Sequence, residues 1–145
     1  MKYKLELLIN KPRSDVWKFF TDPEKTKLWQ PSLQSIETSR GASGQPGAVS
    51  TWTYQEGERE FSLTEKVVQS KAPDRFESLF ENAFASNTVN HTFTAQSENE
   101  TLWTLETAYI FKTLLMKILG PFLKKNYVAR SQKEMERFKE TVESS

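Results

Sequence analysis

Hydrophobic and polar positions alternate at the start of the chain. Tyr3, Leu5, Leu7 and Ile9 fall on one face, and Lys4, Glu6 and Leu8 on the other. A period of two predicts a half-buried strand over residues 3–10. The period then lengthens. Val16, Trp17, Phe19 and Phe20 follow at helical spacing, and Pro12 suits the first turn of that helix, where its missing N–H costs nothing. Asp22-Pro23-Glu24 restarts the chain as a second short helix. Asp22 can cap, Pro23 fits the first helical position, and Glu24 favours the positive end of the dipole. That helix ends near Leu28-Trp29-Gln30-Pro31.

From Ser32 to Phe111 the pattern is strand after strand, rich in Thr, Val, Phe, Trp and Tyr. Breaks are expected at Gly41–Gly47, Glu56–Glu58, Lys71–Asp74, Ala85–Asn87 and Gln96–Glu100, the spacing of antiparallel hairpins. In Thr101–Phe111 the odd positions read Thr, Trp, Leu, Thr, Tyr and Phe, a face of apolar bulk with polar tips that suits a cavity wall. After it Ile118, Phe122, Val128, Met135, Phe138 and Val142 recur at steps of three, four or seven, with one step of six, and with Lys, Arg and Glu between them. That spacing predicts an amphipathic helix. Because a proline ring clashes with the carbonyl one turn back, Pro121 is read as the start of this helix, which then runs over residues 121–143 for roughly 34 Å.

Composition narrows the class. A chain of 145 residues makes one domain, residues 1–145, large enough for its own core. The absence of cysteine removes disulfides, thiolate metal sites and cysteine nucleophiles. Twenty basic against nineteen acidic residues leave a formal charge of +1, so no overall field draws the chain to nucleic acid. Leu7-Leu8-Ile9 is too short for the core of a signal peptide, and no stretch approaches the ~20 apolar residues of a membrane span. A cytoplasmic protein is expected.

The order strand, two short helices, six strands, long helix comes with landmarks along nearly the whole chain. They are Val16-Trp17 with Phe20 and Asp22-Pro23, then Trp29-Gln30-Pro31 and Gly44-Gln45-Pro46-Gly47. Val67 ahead of Ala72-Pro73, Thr92-Phe93-Thr94 and Thr101–Leu105 complete the set. In these the chain resembles the START-like (SRPBCC) superfamily, near its polyketide cyclase/dehydrase-type members. The resemblance implies an α+β helix-grip fold: a curved seven-stranded antiparallel sheet wrapped around a long C-terminal helix, with a cavity between them. That superfamily hosts lipid carriers, hormone receptors and cyclases, so the fold alone does not select a function.

A gripped cavity needs rigid apolar walls with a few polar handles, which Trp and Tyr supply. From the sheet and second helix the expected wall residues are Trp29, Trp52, Tyr54, Phe80, Phe93, Trp103, Leu105 and Tyr109; from the C-terminal segment they are Ile118, Phe122, Leu123 and Tyr127. His91, the single histidine, shares a strand face with Val89 and Phe93 and joins the wall if Phe93 does. It has no acid to orient it, since Asp15, Asp22 and Asp74 all sit at helix starts or turns. Glu65 shares a face with Phe61, Leu63 and Val67, and burial there would raise its pKa. Glu106 is expected in solvent.

With one histidine and no cysteine, no transition-metal site and no cofactor are expected. Gly41–Gly47 has neither the spacing of a dinucleotide fingerprint nor a helix after it, and reads as a loop at the cavity mouth. Lys112–Lys125 places four lysines around the most hydrophobic run of the chain. Its ordinary reading is a packed helix with solvated lysines, and its sharper one a transient membrane contact through residues 112–125.

The preferred reading is binding or transport of a small hydrophobic ligand: a lipid, a polyketide-like molecule or a flat aromatic. The first alternative is a cyclase or dehydratase using His91 or Glu65 as acid or base. The second is an interaction module whose cavity is vestigial.

Overall fold

Strand β1 (Lys2–Ile9) realises the opening alternation, with Tyr3, Leu5, Leu7 and Ile9 turned inward in a computed structural model that describes all 145 residues. Helix α1 (Arg13–Thr21) buries Val16 and Phe19, and Pro12 stands just outside it as its N-cap rather than within its first turn. The second helix is shorter than the sequence predicts. Residues 23–25 form a turn in which Asp22 Oδ1 accepts the Glu24 N–H at 3.0 Å, and α2 spans only Thr26–Trp29. A side-chain bond at the turn replaces the first helical turn that the proline invited.

Six strands follow: β2 (Leu33–Arg40), β3 (Val49–Glu56), β4 (Arg59–Lys71), β5 (Arg75–Glu81), β6 (Ala85–Ser97) and β7 (Glu100–Phe111). With β1 they form one antiparallel sheet in the order β1-β7-β6-β5-β4-β3-β2. The β5–β6 turn lies at residues 82–84, not at Ala85–Asn87 as expected. Asn82 closes it, its Oδ1 accepting from the N–H groups of Phe84 and Ala85 at 2.8 and 2.9 Å. In the β2–β3 loop Gly41 and Gly44 have φ of +72° and +76°, a region that side chains with a Cβ rarely adopt.

The C-terminal helical segment comes in three pieces. Helix α3 spans Leu114–Leu119, a 3₁₀ turn spans Gly120–Leu123, and α4 runs over Lys124–Glu143. The long helix thus begins three residues after Pro121, because the proline opens the 3₁₀ turn instead of the α-helix. Gly120 is buried against Phe111, and a Cβ at this position would overlap the phenyl ring. Gly120→Ala is therefore expected to destabilise the protein by about 1–3 kcal/mol, as overpacking does, measured by urea unfolding.

The core occupies only part of the space under the sheet. Ile9, Val16, Phe19, Trp29, Phe93 and Trp103 pack with Met135, Phe138 and Val142 from the C-terminal half of α4. The N-terminal half of α4 contributes no buried residue: Met135 is the first. What it faces instead is a cavity.

Candidate functional site

The cavity measures about 1140 Å³. Its wall follows from the pleat, in which every second side chain shares a face. β3 contributes Ser50, Trp52, Tyr54 and Glu56, and β4 contributes Phe61, Leu63 and Glu65. Phe76, Ser78 and Phe80 come from β5, and Asn87, Val89 and His91 from β6. Leu105, Thr107 and Tyr109 come from β7, while Tyr127, Arg130, Glu134 and Arg137 close the space from α4. Ser43 and Gly44 reach it from the β2–β3 loop, at the position expected of a mouth.

Of the residues proposed for the wall, Trp29, Trp52, Tyr54, Phe80, His91, Leu105, Tyr109, Leu123 and Tyr127 line this cavity. Four do not. Phe93 and Trp103 are each 1% exposed and belong to the packed core. Their phase was right, but they lie at the end of the sheet that α1 covers. Phe122 and Ile118 point away from the protein and are 83% and 58% exposed.

His91 sits where core and cavity meet. Its ring is tilted against Phe20 at 4.6 Å between centroids, and its Nδ1 accepts the indole N–H of Trp103 at 3.1 Å. The surface it retains is cavity surface, and burial lowers its pKa to about 3. At neutral pH this imidazole is uncharged and a very weak base. Trp29, stacked on Phe20 at 5.8 Å, leaves its indole N–H without an acceptor.

Glu65 is buried. Its Oε1 accepts from Trp52 Nε1 at 3.1 Å and its Oε2 from Ser78 Oγ at 2.8 Å. Burial raises its pKa, and the two hydrogen bonds pull it partly back. Both oxygens are thus committed to neighbouring strands. Glu106 faces solvent, as expected.

Sequence reasoning missed Glu134. Burial raises this carboxyl to about 7 against the pull of Arg130 and Arg137, and the nearby Glu56 carboxylate adds to the rise. Arg130 is already paired with Glu56 at 2.7 Å, and Glu134 itself receives no hydrogen bond from the protein. It lies near two phenols whose pKa values burial pushes up, Tyr54 and Tyr109. Tyr54 donates to Gln30 Oε1 at 2.9 Å. Tyr109 stacks between Tyr3 and Tyr127 at 6.2 and 4.9 Å, and Tyr3 Oη lies 2.9 Å from Ser131 Oγ. The signal was present in the chain: Glu134 follows Tyr127 by seven residues, two turns along one helical face.

The seven-stranded sheet closed on a C-terminal helix around a cavity defines a helix-grip protein of the START-like (SRPBCC) superfamily. Within it the chain belongs to the polyketide cyclase/dehydrase and lipid transport family, whose model matches residues 2–143. Among solved structures, a conserved protein from Geobacillus kaustophilus is similar with a TM-score of 0.82 at 13% identity, over 100% of this chain and 97% of that one. Ara h 8.0201 is similar with a TM-score of 0.78 at 17% identity, over 100% and 99%. Norcoclaurine synthase from Thalictrum flavum, solved in complex with dopamine and hydroxybenzaldehyde, gives 0.71 at 15% identity, over 99% and 87%. At such identities the likeness is one of fold. No curated protein sequence matches the chain. No helix is long and apolar enough to cross a membrane.

Proposed function

We propose that the protein binds or carries a small hydrophobic ligand in this cavity, the ligand's polar end meeting Glu134. The observation that carries the reading is the cavity itself. At about 1140 Å³ it exceeds the ~300–1,000 Å³ usual for small-molecule sites, and aromatic rings form much of its wall. A carboxyl without a protein donor beside two half-buried phenols is a place where a ligand gains a hydrogen bond the empty protein lacks. Native mass spectrometry of the protein purified from its own host tests the reading. A co-purifying lipid, polyketide or aromatic is expected; failure to bind any such molecule, natural or supplied, defeats it.

The polar end is testable separately. At pH 8, above the Glu134 pKa of about 7, decanol is expected to bind at least tenfold more tightly than its methyl ether, because a hydrogen bond to a charged acceptor contributes about 1.5–3 kcal/mol. Glu134→Leu should erase the difference and leave the ether unchanged, as read by displacement of an environment-sensitive dye. Equal binding of alcohol and ether by the wild type would remove Glu134 from the recognition without touching the cavity reading.

A cyclase or dehydratase activity has one observation in its favour: a cavity carboxyl poised near pH 7, where a general acid or base works best. This moves the acid–base candidate from His91 and Glu65 to Glu134. Turnover of a polyketide-like substrate that disappears in Glu134→Gln would establish it.

A further inference from the structure

Helix α3 contradicts the ordinary logic of a folded chain. Five of its six residues are apolar, and none is buried. Leu114, Leu115, Ile118 and Leu119 are exposed, and the series continues outward at Phe122. Phe84, in the β5–β6 turn, and Ile110, near the end of β7, are exposed as well, and the Lys112 N–H bonds the Phe84 carbonyl. Single exposed hydrophobics need no explanation, but so many bulky ones on one segment mark a contact surface.

The charge of the segment itself is of one sign. Between Thr107 and Lys133 the chain has six basic residues and no acidic one, although the whole protein carries only +1. Lys112 is tied to Glu81 at 2.9 Å, whereas Lys117, Lys124 and Lys125 enter none of the ion pairs. The same segment also edges the cavity, since Met116, Leu123 and Phe84 line it.

We infer that α3 and the turn after it dock on an anionic lipid bilayer, with the edge of the cavity held at the contact. Apolar side chains enter the interface while lysines meet lipid phosphates, the division of labour of interfacial helices. A second copy of the chain fits the patch less well. In a two-fold pair each basic surface faces its own image, and like charges repel. The inference concerns how the protein reaches a membrane and stands whatever molecule fills the cavity.

Co-sedimentation with vesicles of phosphatidylcholine alone, or mixed equally with phosphatidylglycerol, is the test. Partitioning onto the anionic vesicles is expected to be at least tenfold stronger and to weaken with salt. Leu115→Asp/Phe122→Asp should lower it tenfold or more without shifting the thermal midpoint, as both residues are exposed. Lys117→Gln/Lys125→Gln should lower it roughly fivefold per lysine. Hydrogen exchange of the wild type supplies a readout independent of any variant: anionic vesicles should protect residues 112–125 selectively. Equal binding to both vesicle types, binding that survives the Asp variant, or unchanged exchange over residues 112–125 would overturn the inference. So would a wild-type dimer that the Asp variant splits into monomers, which would assign the patch to a second copy.

Discussion

Glu134→Gln is expected to stabilise the unliganded protein at pH 8 by up to about 3 kcal/mol and to leave it unchanged at pH 4. The carboxyl has a pKa of about 7 in the folded protein against 4.5 in an open chain. Between those values the folded state holds a proton that the unfolded state has released. Stability therefore falls as pH rises through this window, by about 1.4 kcal/mol for each pH unit that separates the two values. Glutamine keeps the shape and removes the titration. Glu65, raised in the same direction, remains in both proteins and cancels from the comparison. Urea unfolding across pH 4–8 reads the difference. Parallel stability curves would mean that the Glu134 carboxyl is solvated, and the proposed polar end of the site would fail with it.

Trp103→Ala is expected to destabilise the protein by about 3–5 kcal/mol, the range for truncating a fully packed aromatic. The indole is 1% exposed and meets Phe138 at 4.8 Å, Phe93 at 6.0 Å and Trp29 at 6.3 Å between ring centroids. Its loss also leaves His91 Nδ1 without its donor. Trp103→Phe separates the two effects, keeping much of the packing while removing the indole N–H. A shift of the urea midpoint at constant slope measures both variants. A cost below about 1 kcal/mol for the alanine variant would return Trp103 to the ligand wall.

The contrast between Trp103 and Tyr109 shows where sequence reasoning stops. Alternation identified the inward face of β7 from Thr101 to Phe111, and all six odd positions do turn inward. It carries no information about which stretch of that face lies under α1 and which lies over empty space. That depends on the curvature of the sheet and on where α4 crosses it, which are long-range properties. Ile118 and Phe122 failed for a different reason. The sequence reading starts the long helix at Pro121, which puts Phe122 in its first turn and Ile118 just ahead of it, in one apolar series with Val128 and Met135. The 3₁₀ turn at Gly120–Leu123, with about three residues per turn, resets the helical phase before α4 begins. Glu134 was overlooked because a carboxylate on an amphipathic helix normally belongs to the wet side. Only the cavity makes its face an interior one.

The division of α4 between a packed half and a cavity half bears on how such proteins diverge. Met135, Phe138 and Val142 hold the helix to the sheet, so the fold is secured by residues that do not line the cavity. Side chains such as Phe61 and Leu63, half-buried on the cavity wall, can then drift in size with little penalty in folding, while each change reshapes what fits inside. A fold built this way can change the shape of its cavity without giving up the packing that keeps it folded.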